Sequence, residues 1–250
     1  RVTPLDYLAV AGAGLVAGAV NTLAGAGSLL SFPVLVAVGL SPLAANVTND
    51  IGIVPGNASG VISLRGDLAG QVPLLRTLLP LTAAGSLAGG TLLLVAPAHV
   101  FEVAAPVLLL LASLLTAAQP RLATWTQRSG KPHAGWMRAT IAAVAVYGGY
   151  FGTGIGVLFV AVLGLFLHES IRQLNSVKTL LQLVSNGVAG IVFAFVAPVH
   201  WTAALVLAVS SSIGAPVGGR LSRVIPAAGL RAVITVVGVG ASGYLFWRLR

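Results

Sequence analysis

The sequence predicts an all-α, polytopic helical membrane protein of about 8–10 membrane segments, arranged as two internal repeats. Three observations predict it. Charged residues make up 8% of the 250-residue chain and hydrophobic residues 57%, with a mean hydropathy of +0.98. A soluble domain carries about 25% charged residues, so this composition is too poor in charge to clothe a water-facing surface. Apolar runs of roughly 15 to 22 residues recur from end to end, the length a helix needs to cross a hydrocarbon core about 30 Å thick. Finally, an ungapped shift of 129 residues lays the chain on itself. Gly25 and Gly27 fall on Gly154 and Gly156, Ser41 on Ser170, Asn46 on Asn175, and Asn57 on Asn186. Gly85, Gly89 and Gly90 fall on Gly214, Gly218 and Gly219, and Pro97 on Pro226. Polar residues kept in register within an apolar, duplicated chain are the build of a membrane transporter whose site lies between its halves.

Each half reads as the same series of segments. A Gly/Ala-rich helix over residues 5–24 precedes the break Gly25-Ala26-Gly27. A short apolar piece at 28–40, interrupted by Pro33, leads to a polar-flecked helix at 44–64 and ordinary spans at 74–95 and 100–118. The second half repeats this with a helix at 139–150, a break at Gly152-Thr153-Gly154-Ile155-Gly156 and a short piece ending at 167. Spans near 171–196, 201–219 and 230–247 follow. The domain division is therefore a first membrane repeat at 1–119, a basic cytoplasmic linker at 120–138 and a second repeat at 139–250. The first segment lacks a signal-peptide cleavage pattern and reads as a membrane helix.

The short segments are the unusual element. At 1.5 Å per residue, a piece of about 13 residues reaches only about 20 Å, less than a full crossing. Short, glycine-broken segments at matching places in two halves point to a binding site. Backbone that leaves its helical hydrogen bonds must face protein or a watery cavity, because lipid offers no replacement.

Counting cations orients the chain. If every segment reverses it, five per half, one side holds Arg65, Arg76, Arg121, Arg128, Lys131, Arg138, Arg172, Lys178, Arg220, Arg223 and Arg231. The other side keeps Arg1, Arg248 and Arg250, a split of 11 to 3 that makes the richer side cytoplasmic. If the short segments dip in and return, the split falls to 9 to 5. The odd count is favoured, and an odd count makes the halves inverted copies.

The net charge of +9 does not point to nucleic acid, because the cations sit at helix ends and loops, where topology signals and lipid headgroup contacts belong. Cysteine is absent, so thiol chemistry is excluded. No His/Cys/carboxylate group has metal-ligand spacing, no nucleophile elbow accompanies Ser210-Ser211-Ser212, and the Gly152–Gly156 run lacks the lysine of a phosphate loop. No metal, cofactor or enzymatic activity is expected. His99, Glu102 and His200 are expected in solvated outer loops, His133 in the basic linker, and His168 and Glu169 beside a short segment where a gate would sit.

The stretch Asn21-Thr-Leu-Ala-Gly25-Ala-Gly27-Ser28-Leu-Leu-Ser-Phe-Pro33, followed by Ala45-Asn46-Val-Thr48-Asn49, resembles the first-half signature of the sulfite exporter TauE/SafE family. Gly148-Gly-Tyr-Phe-Gly152-Thr-Gly154-Ile-Gly156 and Lys178-Thr179-Leu-Leu-Gln182-Leu-Val-Ser-Asn186 support the likeness in the second half. The family's glycine run is often denser, and Ala26 stands where glycine is common. The resemblance implies transport of small anions, notably sulfite, sulfonates and related sulfur compounds, across the cytoplasmic (inner) membrane.

The residues themselves make chemical sense of that. A break followed by a helix start leaves N–H groups unpaired, with the positive end of the helix dipole behind them. Gly25, Gly27 and Ser28 would form one such cradle, and Gly152, Gly154 and Gly156 the other. Asn21, Asn46, Thr48, Asn49 and Asn57 would add amide and hydroxyl donors, with Asn175, Thr179, Gln182 and Asn186 opposite. Asp50 and Lys178 would approach each other near a pseudo-axis, Lys178 attracting the anion while Asp50 restrains it or carries a proton. The plainer reading is that Gly, Ser, Thr and Asn only pack and bond helices together, and this is the expected role of Gly85, Gly89, Gly90, Gly214, Gly218 and Gly219. Two rival functions remain. A non-transporting membrane scaffold or subunit would show polar residues satisfied by helix partners, and an intramembrane enzyme would show a paired nucleophile and base. The sequence leaves open whether the chain pairs with a second copy as a homodimer.

Overall fold

The computed structural model describes the backbone of residues 3–126, 134–167, 169–221 and 227–248. Among these residues it is all-helical, with no strand. The elements are α1 (Pro4–Ala24), α2 (Ser28–Ala37), α3 (Pro42–Leu64), α4 (Val72–Val95) and α5 (Ala98–Thr126). After them come α6 (Ala134–Tyr150), α7 (Ile155–Phe166), α8 (Ile171–Val196), α9 (Trp201–Leu221) and α10 (Ala227–Arg248). A 3-10 turn, Arg65–Leu68, follows α3.

Local chemistry explains the helix starts. Thr3 and Asp6 form a capping box at α1, with Pro4 in the first turn. Ser41 caps α3 by accepting from the Ala44 N–H, and Ser170 caps α8 in a box with Gln173. The first residues of α8, α9 and α10 each lie 129 positions after those of α3, α4 and α5. Elsewhere the boundaries differ from expectation. α5 runs on to Thr126 and α6 begins at Ala134, so the helices consume much of the expected linker, and its remainder, 127–133, lies outside the described residues. Pro33 sits inside α2 rather than interrupting it, as buried membrane helices tolerate.

The glycines and serines fix how the helices run. Gly14 of α1 lies on Leu207 and Ser210 of α9, and Gly218 of α9 on Ala19, so these helices are parallel. Gly52 and Gly56 of α3 lie on Leu207 and Ser211, making α3 parallel to α9 as well. α1 and α3 therefore point the same way, and α2 carries the chain back between them. Across the halves Gly85 and Gly89 of α4 lie on Ala145 and Val146 of α6, while Ser86 bonds Ser185 of α8 at 2.6 Å and Gly90 meets Phe193. α4, α6 and α8 are thus parallel, and α7 is the returning segment. Finally Gly60 of α3 lies on Thr179 of α8, whereas Gly190 lies on Ile51 and Val54. α3 and α8 are antiparallel. Arg172 and Asp67 meet at 3.6 Å, which puts the end of α3 and the start of α8 at one end of the bundle.

Burial follows the logic of a lipid-facing protein. α3 and α8 occupy the centre and bury Asn46, Asn49, Asp50, Asn57, Lys178, Gln182 and Asn186. The outward faces carry Leu5, Leu8, Leu92, Val95, Leu205, Val209 and Val236. Among the described residues five helices are long and apolar enough to cross a membrane, namely α1, α4, α5 over 98–118, α8 and α9, with α2 and α7 as shorter apolar helices. The six glycines assigned to packing do pack: Gly214 meets the Leu15 carbonyl and Gly219 meets Ser63, beside the contacts above.

Candidate functional site at the paired helix breaks

Both breaks form, and they touch. Gly25 ends α1 at φ +78°, and a methyl group there would lie 2.6 Å from the carbonyl carbon of Gly156. That combination of left-handed backbone and backbone contact admits only glycine. On the other side Gly152, at φ +68°, lets its backbone pass directly against the carboxylate of Asp50.

The first break is tied by Asn21. The Gly27 N–H donates to Asn21 Oδ1 at 2.7 Å, Gly25 N–H to the Asn21 main-chain oxygen at 2.9 Å, and Asn21 Nδ2 to Asn57 Oδ1 at 3.3 Å. The expectation that Gly25 and Gly27 offer free N–H groups is corrected here: Asn21 places an acceptor within reach of one and its helix satisfies the other. Asn21 positions the break rather than lining it. Ser28 opens α2 and is buried, and Ser31, which the sequence reading passed over, donates to Asn49 Oδ1 at 2.5 Å.

The second break lacks that tie, because the position matching Asn21 is Tyr150, whose one side-chain acceptor is a phenolic oxygen at the far end of a rigid ring rather than a short amide beside the backbone. Thr153 and Ile155 N–H groups close on Phe151 and Gly152 oxygens, whereas those of Gly152, Gly154 and Gly156 have no partner among the described residues. Gln182 packs on Gly156 with its Oε1 unpaired. The Tyr147 hydroxyl donates to the Thr153 oxygen at 2.8 Å and braces the turn.

Bonds across the seam join each half to the helix end of the other. Asn46 Nδ2 donates to the Tyr150 oxygen at 3.3 Å, Asn175 Nδ2 to the Thr22 oxygen at 2.7 Å, and Lys178 Nζ to the Asn21 oxygen at 2.6 Å. Carbonyls at a helix C-terminus welcome a cation and amide donors. The expected approach of Asp50 and Lys178 does not occur: no ion pair within 4.0 Å joins them. Lys178 is taken by the carbonyl end of α1, and being wholly buried it is no topology signal, so it leaves the cytoplasmic count. Thr48 also departs from expectation, because its hydroxyl accepts from the His200 N–H at 3.0 Å and so holds the entry to α9. Thr179 bonds back to the Asn175 oxygen at 2.7 Å and packs on Gly60.

Besides Thr82 Oγ1 on α4, what remains is a set of enclosed polar atoms without partners: Asn46 Oδ1, Asn49 Nδ2, both Asp50 oxygens, Asn57 Nδ2, Thr153 Oγ1, Gln182 Oε1 and both side-chain atoms of Asn186. Each such group costs about 1–3 kcal/mol unless something satisfies it. Thr153 is the member that sequence reasoning misses, although it stands inside the run Gly152–Gly156. The apolar cleft of about 310 Å³ between α5, α6 and α7, lined by Leu108, Leu111, Val144 and Leu158, offers no comparable chemistry. No group of His, Cys, Asp and Glu suited to a metal occurs among the described residues. His133 and His168 lie outside them, as do the side chains of Arg121, Arg128, Lys131 and Arg223, while Glu169 is exposed.

The sequence profile described as "Sulfite exporter TauE/SafE" matches residues 10–245. The chain belongs to the sulfite exporter TauE/SafE family. It is 25% identical over 231 residues to the probable membrane transporter protein ORF9 of Sinorhizobium sp, covering 91% of this chain and 87% of that one. It is likewise 25% identical over 207 residues to the probable membrane transporter protein YfcA of Escherichia coli K12, covering 83% and 77%. No solved structure matches it. This TauE/SafE protein is a multi-pass membrane transporter, and the breaks that carried the resemblance are where its two halves meet.

Proposed function

We propose that the protein is a secondary transporter of small sulfur-containing anions, sulfite and organosulfonates among them, across the cytoplasmic membrane. Its two halves act as inverted copies that rock against each other about the paired breaks. The antiparallel course of α3 and α8, and the recurrence of helix starts at one offset, support the inversion.

One observation carries the reading. The free N–H groups of Gly154 and Gly156 lie where the two helix breaks touch, and the unpaired amides of Asn49, Asn57 and Asn186 are buried on α3 and α8, which pack on each other. Sulfite and sulfonates present a flat or pyramidal face of oxygens that accept several hydrogen bonds. Neutral amides at a helix N-terminus supply these without a charge change, so the anion is held and released reversibly. Asn21, Asn46, Asn175 and Lys178 hold the break ends in place. The membrane potential favours expelling an anion from a negative interior by about 2.3 kcal/mol per 100 mV for each net negative charge moved, whereas uptake needs a coupled cation. Flux of labelled sulfite, methanesulfonate and thiosulfate into proteoliposomes tests the proposal: saturable flux of at least one supports it, and none from folded protein rejects it.

A further inference from the structure

The two helix ends that meet at the seam are finished differently. At the end of α1, the main-chain oxygens of Asn21 and Thr22 receive Lys178 Nζ and the Asn175 amide. At the end of α6, Asn46 plays the part of Asn175 by donating to the Tyr150 oxygen. The residue that matches Lys178 is Asn49, which receives Ser31 instead. Here α6 has no lysine, and next to its end stands Asp50, pressed on Gly152 with neither oxygen bonded. Asn46 lies one turn before Asp50 on the same face and leaves its Oδ1 unpaired, as does the Thr153 hydroxyl in the adjoining turn. All three residues are 0% exposed. No described Lys, Arg or His comes within 4.0 Å of Asp50. The titratable group that feels its charge from the facing helix is Tyr147, whose hydroxyl is committed to the Thr153 oxygen.

We propose that Asp50, Asn46 and Thr153 form a site for an exchangeable monovalent cation, Na⁺ or a proton, that travels with the anion. The inference rests on the anion reading above. One carboxylate with neutral oxygens beside a helix C-terminus is a hard donor set for a small cation, and the helix dipole adds to it. Lys178 is the tethered donor at one helix end, and the other end takes a mobile ion. The second break then has chemically opposite sides, with carbonyls and Asp50 where α6 stops, and free N–H groups where α7 starts. A bare Asp50 carboxylate repels an anion on the N–H side, and a bound cation removes that repulsion. Each ion therefore strengthens binding of the other, which is the condition for moving together.

The test uses the purified full chain in proteoliposomes, with methanesulfonate as the monovalent probe. One arm imposes a Na⁺ gradient at equal pH, the other a pH gradient at equal Na⁺, both with the membrane potential clamped to zero. At one-to-one coupling a tenfold gradient of the coupled cation sustains about tenfold anion accumulation. In Asp50→Asn the ratio of gradient-driven uptake to gradient-free counterflow falls about tenfold. Wild-type accumulation indifferent to both gradients overturns the cation site while leaving the anion reading intact, whereas absent counterflow overturns the anion reading. A second readout needs no anion. Either Na⁺ titration raises the unfolding temperature of the wild type and not of Asp50→Asn, or a protonated-carboxyl infrared band is present in the wild type and absent from the variant. If Asp50→Asn does not fold, Thr153→Val replaces it, with a raised half-saturating concentration of the coupled cation expected. Neither signal appearing overturns the site.

Discussion

The ammonium of Lys178 donates to the main-chain oxygen of Asn21 at 2.6 Å, joining the middle of α8 to the last turn of α1. A charge in the centre of a membrane bundle is held here by a helix end rather than by a carboxylate. Hydrogen bonds to charged groups contribute about 1.5–3 kcal/mol. Lys178→Gln should therefore lower stability by about that amount, read as the unfolding midpoint in detergent. The same variant should weaken anion affinity, since the break it steadies lies beside the seam. Unchanged stability and affinity together would remove Lys178 from the account.

Gly25→Ala combines a left-handed backbone, which costs an ordinary residue about 1–2 kcal/mol, with overlap of the Gly156 backbone. Loss of transport with lowered stability is expected. Gly12→Ala, where a methyl group meets nothing within 4 Å, serves as the control and should behave as wild type in both assays.

Thr48 and Asn186 separate scaffold from site. Thr48→Val removes one acceptor for the His200 N–H and should cost about 1–3 kcal/mol of stability with no change in half-saturating anion concentration. Asn186→Leu replaces a buried amide that has no protein partner, so it should hold or raise stability while weakening anion binding. A thermal-shift series beside flux titrations checks both.

Much of this architecture was legible in the chain. The glycine breaks and the short segments follow from residue types whose backbone preferences are strong, and the structure adds that the matched Ser41 and Ser170 cap α3 and α8. The matched asparagines marked the seam, and Asn46 and Asn175 do bond across it. Side-chain direction was not legible. Thr48 and Asp50 are two positions apart on α3 and face different neighbours, which depends on helix rotation and on where α9 lies. Nor was the asymmetry of the two cradles apparent, although the mismatch of Asn21 with Tyr150 under the shift is its cause. Polar residues at a helix end resemble a loop, which is why the extension of α5 to Thr126 and the start of α6 at Ala134 do not show in the composition of 120–138.

The chain lacks cysteine, so single introduced thiols report topology cleanly. Gly70→Cys and Glu169→Cys should be labelled from the same, cytoplasmic side by a membrane-impermeant maleimide, and Pro97→Cys from the opposite side. Labelling of Gly70→Cys and Glu169→Cys from opposite sides would contradict the proposed inversion.

The most direct test is equilibrium exchange of radiolabelled sulfite by the reconstituted wild type and by Asn57→Ala, whose lost amide belongs to the enclosed donors at the meeting breaks. The account predicts saturable wild-type exchange and a half-saturating concentration raised about tenfold in the variant, equivalent to one donor worth about 1.4 kcal/mol. Identical saturation curves for the two proteins would place the anion's path somewhere other than the seam between α3 and α8.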